Sequence, residues 1–266
     1  MVRQQERIFM KRQTKSPLRE IEYRYAGQSL DEEIQKTRMD LILFTVMGAL
    51  LLSYAIKEFL SWYLNSLPNV ISVIFIVFLA IGYFIFLVIK VPRQSKRLRN
   101  MQLGLAGERA VGHLLEELRA QGCVVFHDIV GNQFNIDHVV ISNKGILVIE
   151  TKTLSKPKQG HAEIQFDGRS IKVMGREMER NPITQATAGA RWLQKNLFES
   201  TGSKFPVTPV IVFPGWFVVT KVTNNKAWVI NPKLLPAKLA LEPEQISSEK
   251  LHMASFHLAK MIRIHT

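Results

Sequence analysis

The chain has one cysteine, Cys123, in 266 residues. That excludes an internal disulfide and any cysteine-rich zinc site, and it is compatible with a reducing compartment. Acidic residues are scarce beside basic ones, with 22 Asp and Glu against 35 Lys and Arg and a net charge of +13. No internal repeat and no low-complexity segment occurs, so repeat architectures and composition-biased tails are set aside.

Charge is missing altogether from two stretches. Residues 69–89, NVISVIFIVFLAIGYFIFLVI, form a 21-residue run without a charged side chain, about the length that crosses ~30 Å of hydrocarbon. The run from Leu41 to Ile56 has 16 uncharged residues; it extends through FLSWYL if Lys57 and Glu58 sit at the interface, where Trp62 and Tyr63 are also at home. A buried soluble hairpin is the competing explanation. A cleaved signal peptide fits worse, because about 40 mostly polar residues precede the first run. The flanks set an orientation. Nine Lys and Arg precede the first run and Lys90, Arg93, Lys96, Arg97 and Arg99 follow the second, whereas residues 57–68 hold only Lys57. Positive charge stays inside, so the expectation is a two-span anchor in the inner (plasma) membrane with both termini cytoplasmic. The basic flanks could also be read as nucleic-acid contacts, but topology and anionic lipid explain them more economically.

The expected organisation is a basic cytoplasmic segment over 1–40, spans at about 41–63 and 69–91, a basic linker over 92–102, a domain over 103–240 and a C-terminal helix over 241–266. From Pro92 onward there are 24 Lys and Arg and 14 Asp and Glu, a dispersed positive charge that attracts polyanions.

Residues 103–121 have helical period, with Val111, Leu114, Leu115 and Leu118 on one face, Glu108 at its edge and Gly122 as a stop. A short strand is expected at Val124–Phe126. Residues 136–152, IDHVVISNKGILVIETK, read as a hairpin, and EIQF-DG-RSIKV reads as a second one turning at Asp167-Gly168. Asn181-Pro182 reads as a helix start, N-cap then N1, for a helix running to about Phe198 with Ala186, Ala190, Leu193 and Leu197 inward. PVIVF (209–213) and AWVI (227–230) are strand candidates, and Ser247 or Ser248 caps a last helix. This order implies an α/β fold with one mixed sheet covered on both faces.

The first hairpin holds acids and a base where core residues belong. With Asn143-Lys144 as a two-residue loop, Ser142 faces Gly145 and Asp137 falls directly opposite Glu150; a three-residue loop with Gly145 in a bulge shifts the pairing by one. Opposed Cβ atoms stand ~5 Å apart, a spacing that lets two carboxylates share one hard cation at ~2.1 Å per oxygen. Lys152 shares the face of Glu150 by the strand period. A salt bridge at the rim of the sheet is the plain alternative to a metal site. Glu108 and Gln185, the latter in the first turn of the helix after Asn181-Pro182, add a third acid and an amide.

His138 alternates to the opposite face and reads as a packed or hydrogen-bonded core histidine. His113 and His127 read as surface residues, and His161, His252, His257 and His265 show no zinc-like spacing. Trp216 and Trp228 are expected to pack on the sheet rather than stack on bases.

The ordered set GERAVGHLLEEL, IDHVVISNKGILVIETK and NPITQA closely resembles the NERD (nuclease-related) domain, a branch of the PD-(D/E)XK nuclease superfamily. The resemblance runs from about Leu103 to Phe198, more weakly to about Leu239, and leaves out the apolar runs, the first 40 residues and the last helix. It implies an αβββαβ core and metal-dependent phosphodiester cleavage. It also implies that Asp137 and Glu150 bind Mg²⁺ or Mn²⁺ with the Thr151 carbonyl, that Lys152 positions or deprotonates the attacking water, that Glu108 assists the metal or its waters, and that Gln185 orients Lys152 or a phosphate. A cation screens an anionic phosphodiester from the carboxylates and lowers the pKa of a bound water.

Two function classes follow. The first is a membrane-anchored, cytoplasmic, divalent-metal-dependent nuclease acting on DNA, with incoming foreign DNA as a plausible target. The second is a catalytically inactive, membrane-tethered module that binds nucleic acid or protein. Nucleic acid and the lipid membrane are the expected partners, with a second copy of the chain left open. A channel or transporter is disfavoured, because neither apolar run carries a charge at its centre.

Overall fold

The computed structural model describes residues 23–64, 70–131, 134–157, 162–222 and 226–264. Most of the N-terminal basic segment, residues 1–22, and the junction at 65–69 lie outside the described residues.

Two long helices open the described chain. Helix α1 spans Gln28–Tyr63 and α2 spans Val70–Ala120. At 1.5 Å per residue they are about 54 and 76 Å long. They run side by side: the Tyr83 hydroxyl donates to the Phe44 carbonyl at 2.8 Å. Gly48 permits this closeness, since a Cβ there would lie 2.8 Å from Leu87 Cδ1. Further along, Arg97 pairs with Glu33, and Arg109 reaches Asp31 at 2.8 Å. The apolar stretches face outward, with Leu50 63% and Phe78 71% exposed. They are therefore not the core of a soluble hairpin; both helices are long and apolar enough to cross a membrane.

Both helices are longer than the apolar runs. The basic stretch 92–102, expected as a linker, is helical and continuous with the domain's first helix, and Pro92 lies inside it. Gly122, with φ 92, stops α2, and the Cys123 N–H returns to the Leu118 carbonyl at 3.1 Å.

The domain's main sheet contains β1 (Val124–Val130), β2 (Asn135–Ser142), β3 (Gly145–Thr151), β7 (Val207–Val212) and β9 (Trp228–Ile230), in the order β1-β2-β3-β7-β9. The first three form an antiparallel meander, while β7 pairs in parallel with both β3 and β9. One face is covered by α2, whose Val111, Leu115 and Leu118 pack on Val125, Val140, Leu147 and Ile149. Helix α4 (Leu235–Leu241), entered through a 3-10 turn at Pro232–Leu234, adds Leu235 and Leu239 to that layer. The other face is covered by α3 (Pro182–Thr201) and α5 (Ser248–Ile264), which bury Leu193, Leu197, Ala254 and Leu258 against Val139, Ile141, Ile146 and Val148. This is a mixed sheet between helices, and α2–β1–β2–β3–α3–β7 gives the αβββαβ order.

A second sheet was not foreseen. Strands β4 (Glu163–Phe166), β5 (Ile171–Val173), β6 (Arg176–Glu177) and β8 (Phe217–Thr220) join in the order β6-β5-β4-β8. Ile164, Phe166 and Ile171 bury against Phe213 and Trp216. The loop between β4 and β5 is also longer than Asp167-Gly168. Phe166 pairs with Ile171, leaving four residues whose geometry is held by Asp167 Oδ1, which accepts the N–H groups of Arg169 and Ser170 at 2.9 and 2.8 Å.

Candidate active site

Strand β3 is buried along its whole length between β2 and β7. Its register with β2 runs from Ser142↔Gly145 to His138↔Ile149, so the two-residue loop Asn143-Lys144 is correct and the bulge alternative falls. Beyond His138↔Ile149 the strands no longer pair backbone to backbone. Instead Asp137 Oδ2 accepts the Thr151 N–H at 2.7 Å, which holds one carboxylate in the opening between β2 and β3.

Glu150 stands beside it on β3, 5% exposed. Lys152, just past the strand end, keeps its backbone on β7 through N–H donation to the Val212 carbonyl at 2.9 Å. Its Nζ donates to Glu150 Oε1 at 2.6 Å and to Gln185 Oε1 at 3.2 Å. Gln185 arrives there because Asn181 caps α3, its side chain accepting the Ile183 N–H at 3.0 Å, and Pro182 fixes the first turn. The ion pair anticipated as the plain alternative is thus present, and the amine points at the acids as the catalytic reading also requires.

Glu108 reaches the same region from α2. The approach depends on Gly107, where a Cβ would lie 1.6 Å from Thr153 Oγ1; any larger residue would push the helix off the segment that follows Lys152. Burial, Asp128 and Glu150 raise the Glu108 carboxyl to about 7, and Lys152 opposes the shift. Asp137 is also raised well above the usual carboxylate range, first by desolvation and then by Glu150 and Glu108. It keeps some accessible surface although it is densely surrounded. Burial raises Glu150 too, against the opposing pull of Lys152. Three acids share one locality with one nearby amine among them, an arrangement that calls for a cation or a proton.

Asp128 was missed in the sequence. It has a positive φ of 49° in β1 and is 3% exposed. Between the pairs His127↔His138 and Ile129↔Ile136, it lies across from Asp137. Its partner Arg24 Nε, at 2.7 Å, is 104 positions earlier in the chain, beyond the reach of local pattern. His127 is a correction of a different kind. It is largely enclosed rather than a surface residue, with its Nδ1 2.9 Å from His138 Nδ1 and its Nε2 3.2 Å from Glu116. Cross-strand pairing with His138 and the overlying α2 enclose it, and desolvation lowers its pKa. His138 is the buried core histidine expected, at 0% exposed. Trp216 is buried, donating through Nε1 to the Leu154 carbonyl at 3.2 Å, and Trp228 lies beneath the Lys238 amine.

The donors available to an ion are hard oxygens, the Asp137 and Glu150 carboxylates and the Thr151 main chain, which suit Mg²⁺ or Mn²⁺ rather than a thiophilic metal. Among the described residues no three acidic, histidine or cysteine side chains are drawn into a ready-made ligand cage. Mg²⁺ commonly completes its shell with water and substrate phosphate around one or two carboxylates, and the unrelieved like charge around Asp137 favours such an ion.

Residues 103–214 match the NERD family, the nuclease-related domain. This part of the chain is a NERD domain. The match begins in the last turns of α2, ends after β7, and contains Glu108, Asp137, Glu150, Lys152 and Gln185. Helix α1, the apolar part of α2, Arg24, β8, β9, α4 and α5 fall outside it. No curated protein and no solved structure matches the chain.

Proposed function

We propose that the protein is a membrane-anchored, Mg²⁺- or Mn²⁺-dependent nuclease that hydrolyses phosphodiester bonds of DNA. The observation that carries this reading is the meeting of Asp137, Glu150 and Lys152 at the opening between β2 and β3 of a NERD domain.

In this proposal Asp137 and Glu150 hold the ion with the Thr151 carbonyl. A bound divalent ion supplies Lewis-acid stabilisation of phosphate charge and a water of lowered pKa. Lys152, oriented by Gln185 and Glu150, holds the attacking water and faces the charge that develops on phosphorus. Glu108, which reaches the same region from α2, accepts a proton from that water. Water adds to phosphorus as the bridging P–O bond breaks, and the departing oxygen takes a proton from solvent water, leaving one phosphate monoester end and one hydroxyl end.

The exposed apolar helices and their basic flanks support insertion with the domain on the cytoplasmic face, in the inner (plasma) membrane. A nuclease so placed meets DNA as it enters the cell. A second copy of the chain is a further proposed partner.

The test is a panel of single- and double-stranded DNA and RNA offered to the purified full-length chain in detergent with Mg²⁺, Mn²⁺ or EDTA. Metal-dependent products support the reading. Salt-sensitive binding without products in every condition replaces it with the second reading, a tethered binding module. The observation favouring that module is that the Lys152 amine is already held by Glu150 and Gln185.

A further inference from the structure

A short segment before and at the start of α1 lies on the nuclease-related domain. Tyr23 meets Phe126 of β1 edge to face, with ring centroids 5.7 Å apart. Arg24 Nε donates to Asp128 Oδ2 at 2.7 Å, and the Ser29 N–H and hydroxyl donate to the same oxygen at 2.7 and 2.9 Å. Three donors from one segment therefore converge on one oxygen of a buried side chain. Ala26 abuts α2 where Gly112 makes room; a Cβ at 112 would lie 2.7 Å from the Ala26 Cβ. Gly27, with φ 78, sits against Glu108, and a Cβ at 27 would lie 2.5 Å from Leu105 Cδ1 and 3.2 Å from Glu108 Oε2. Only glycine meets both demands.

We infer that Arg24 is a positioning residue of the acidic site, which by pairing with Asp128 seats residues 23–29 on the domain and fixes Glu108 beneath Gly27. For its catalytic consequence the inference rests on the nuclease reading. Asp128 lies across from Asp137 and is near enough to Glu108 to act on its charge. With the guanidinium in place that buried carboxylate is matched; without it, an unpaired charge faces the other acids. The segment precedes the first apolar run in the chain, yet it forms one wall of the site. Anchor and site are joined as one assembly, and residues 92–266 alone lack that wall.

The experiment compares wild type, Arg24→Ala, Arg24→Lys and Arg24→Ala/Asp128→Asn as full-length chains in detergent. Hydrogen exchange over residues 105–112 is the first readout. Arg24→Ala accelerates it about tenfold, Arg24→Lys falls between, and the double variant regains protection because the unmatched carboxylate is gone. Unchanged exchange over 105–112 in Arg24→Ala overturns the inference. The second readout is Mg²⁺-dependent cleavage of duplex DNA, where Arg24→Ala lowers kcat about tenfold and leaves KM within about twofold. An active wild type with an equally active Arg24→Ala also overturns it. A wild type that cuts nothing sinks the nuclease reading, and the exchange result then decides the docking by itself.

Discussion

The Asp137 carboxylate accepts the Thr151 N–H at 2.7 Å at the point where β2 and β3 stop pairing through their backbones. One side chain thereby does two things: it bridges the fork between two strands and stays next to Glu150. Its surroundings push its pKa well above the usual carboxylate range, through desolvation first and then through Glu150 and Glu108.

The first prediction follows from that crowding. In EDTA at pH 8, Asp137→Asn relieves like-charge repulsion while retaining a side-chain oxygen for Thr151. The variant unfolds at the same temperature as wild type or above it, with a gain of up to about 2 kcal/mol. Thermal unfolding in detergent checks this, and a large loss of stability would show that the charged carboxylate is needed for folding.

The second concerns Lys152. Lys152→Ala leaves Glu150, which is buried, without its cation, and costs about 1–3 kcal/mol after allowance for the partial exposure of the amine. Lys152→Arg does not restore cleavage, because a planar guanidinium cannot occupy the point position between Glu150 and Gln185. Chemical denaturation and a cleavage assay measure the two effects separately.

The third concerns pH. The carboxyl of Glu108 rises from its ordinary 4.5 to about 7 in the folded chain. Between those values the folded state holds a proton that the unfolded state has released. The associated stability is complete below pH ~4.5 and is lost as pH rises through ~7. In metal-free protein the Glu108 contribution therefore falls by on the order of 2 kcal/mol from pH 5 to 8, read as the difference between the wild-type and Glu108→Gln stability profiles. Saturating Mg²⁺ at about 100 times its Kd adds back about 2.7 kcal/mol at pH 8. A wild-type curve that matches Glu108→Gln across the range contradicts the environment described for Glu108.

The fourth concerns the apolar helices. In Ser66→Cys/Cys123→Ser, an impermeant maleimide labels intact cells under the proposed orientation, which puts the junction between the two expected spans on the outer face. In wild type, Cys123 resists the reagent until the cells are opened. Labelling of Cys123 in intact cells would reverse the orientation.

Much of the hairpin was legible because its physics is local. Alternation sends Val139, Ile141, Ile146 and Val148 to one face and Val140, Leu147 and Ile149 to the other, and both sets pack in that manner. The Asn181-Pro182 start of α3 is likewise written in two adjacent residues. What was not legible depends on distant partners. Asp128 looks like an ordinary strand residue until Arg24 and Ser29 arrive from the other side of the apolar hairpin. His127 looks like a surface residue until cross-strand register brings it to His138. The β4–β5 hairpin was legible, but its place in a separate four-stranded sheet was not, because β6 has only two residues, too short for a periodic pattern, and because the partner β8 of β4 lies on the far side of α3. The continuity of α2 was hidden by Pro92, normally read as a boundary, and by the change from apolar to basic composition around it.

The most direct test of the central claim is single-turnover cleavage of duplex DNA by the full-length protein in detergent, for wild type against Asp137→Asn at equal concentration, with and without Mg²⁺. The account predicts metal-dependent cutting by wild type and a rate at least ~10³-fold lower for the variant. Equal rates for the two proteins, or wild-type cutting that persists undiminished in EDTA, would contradict it.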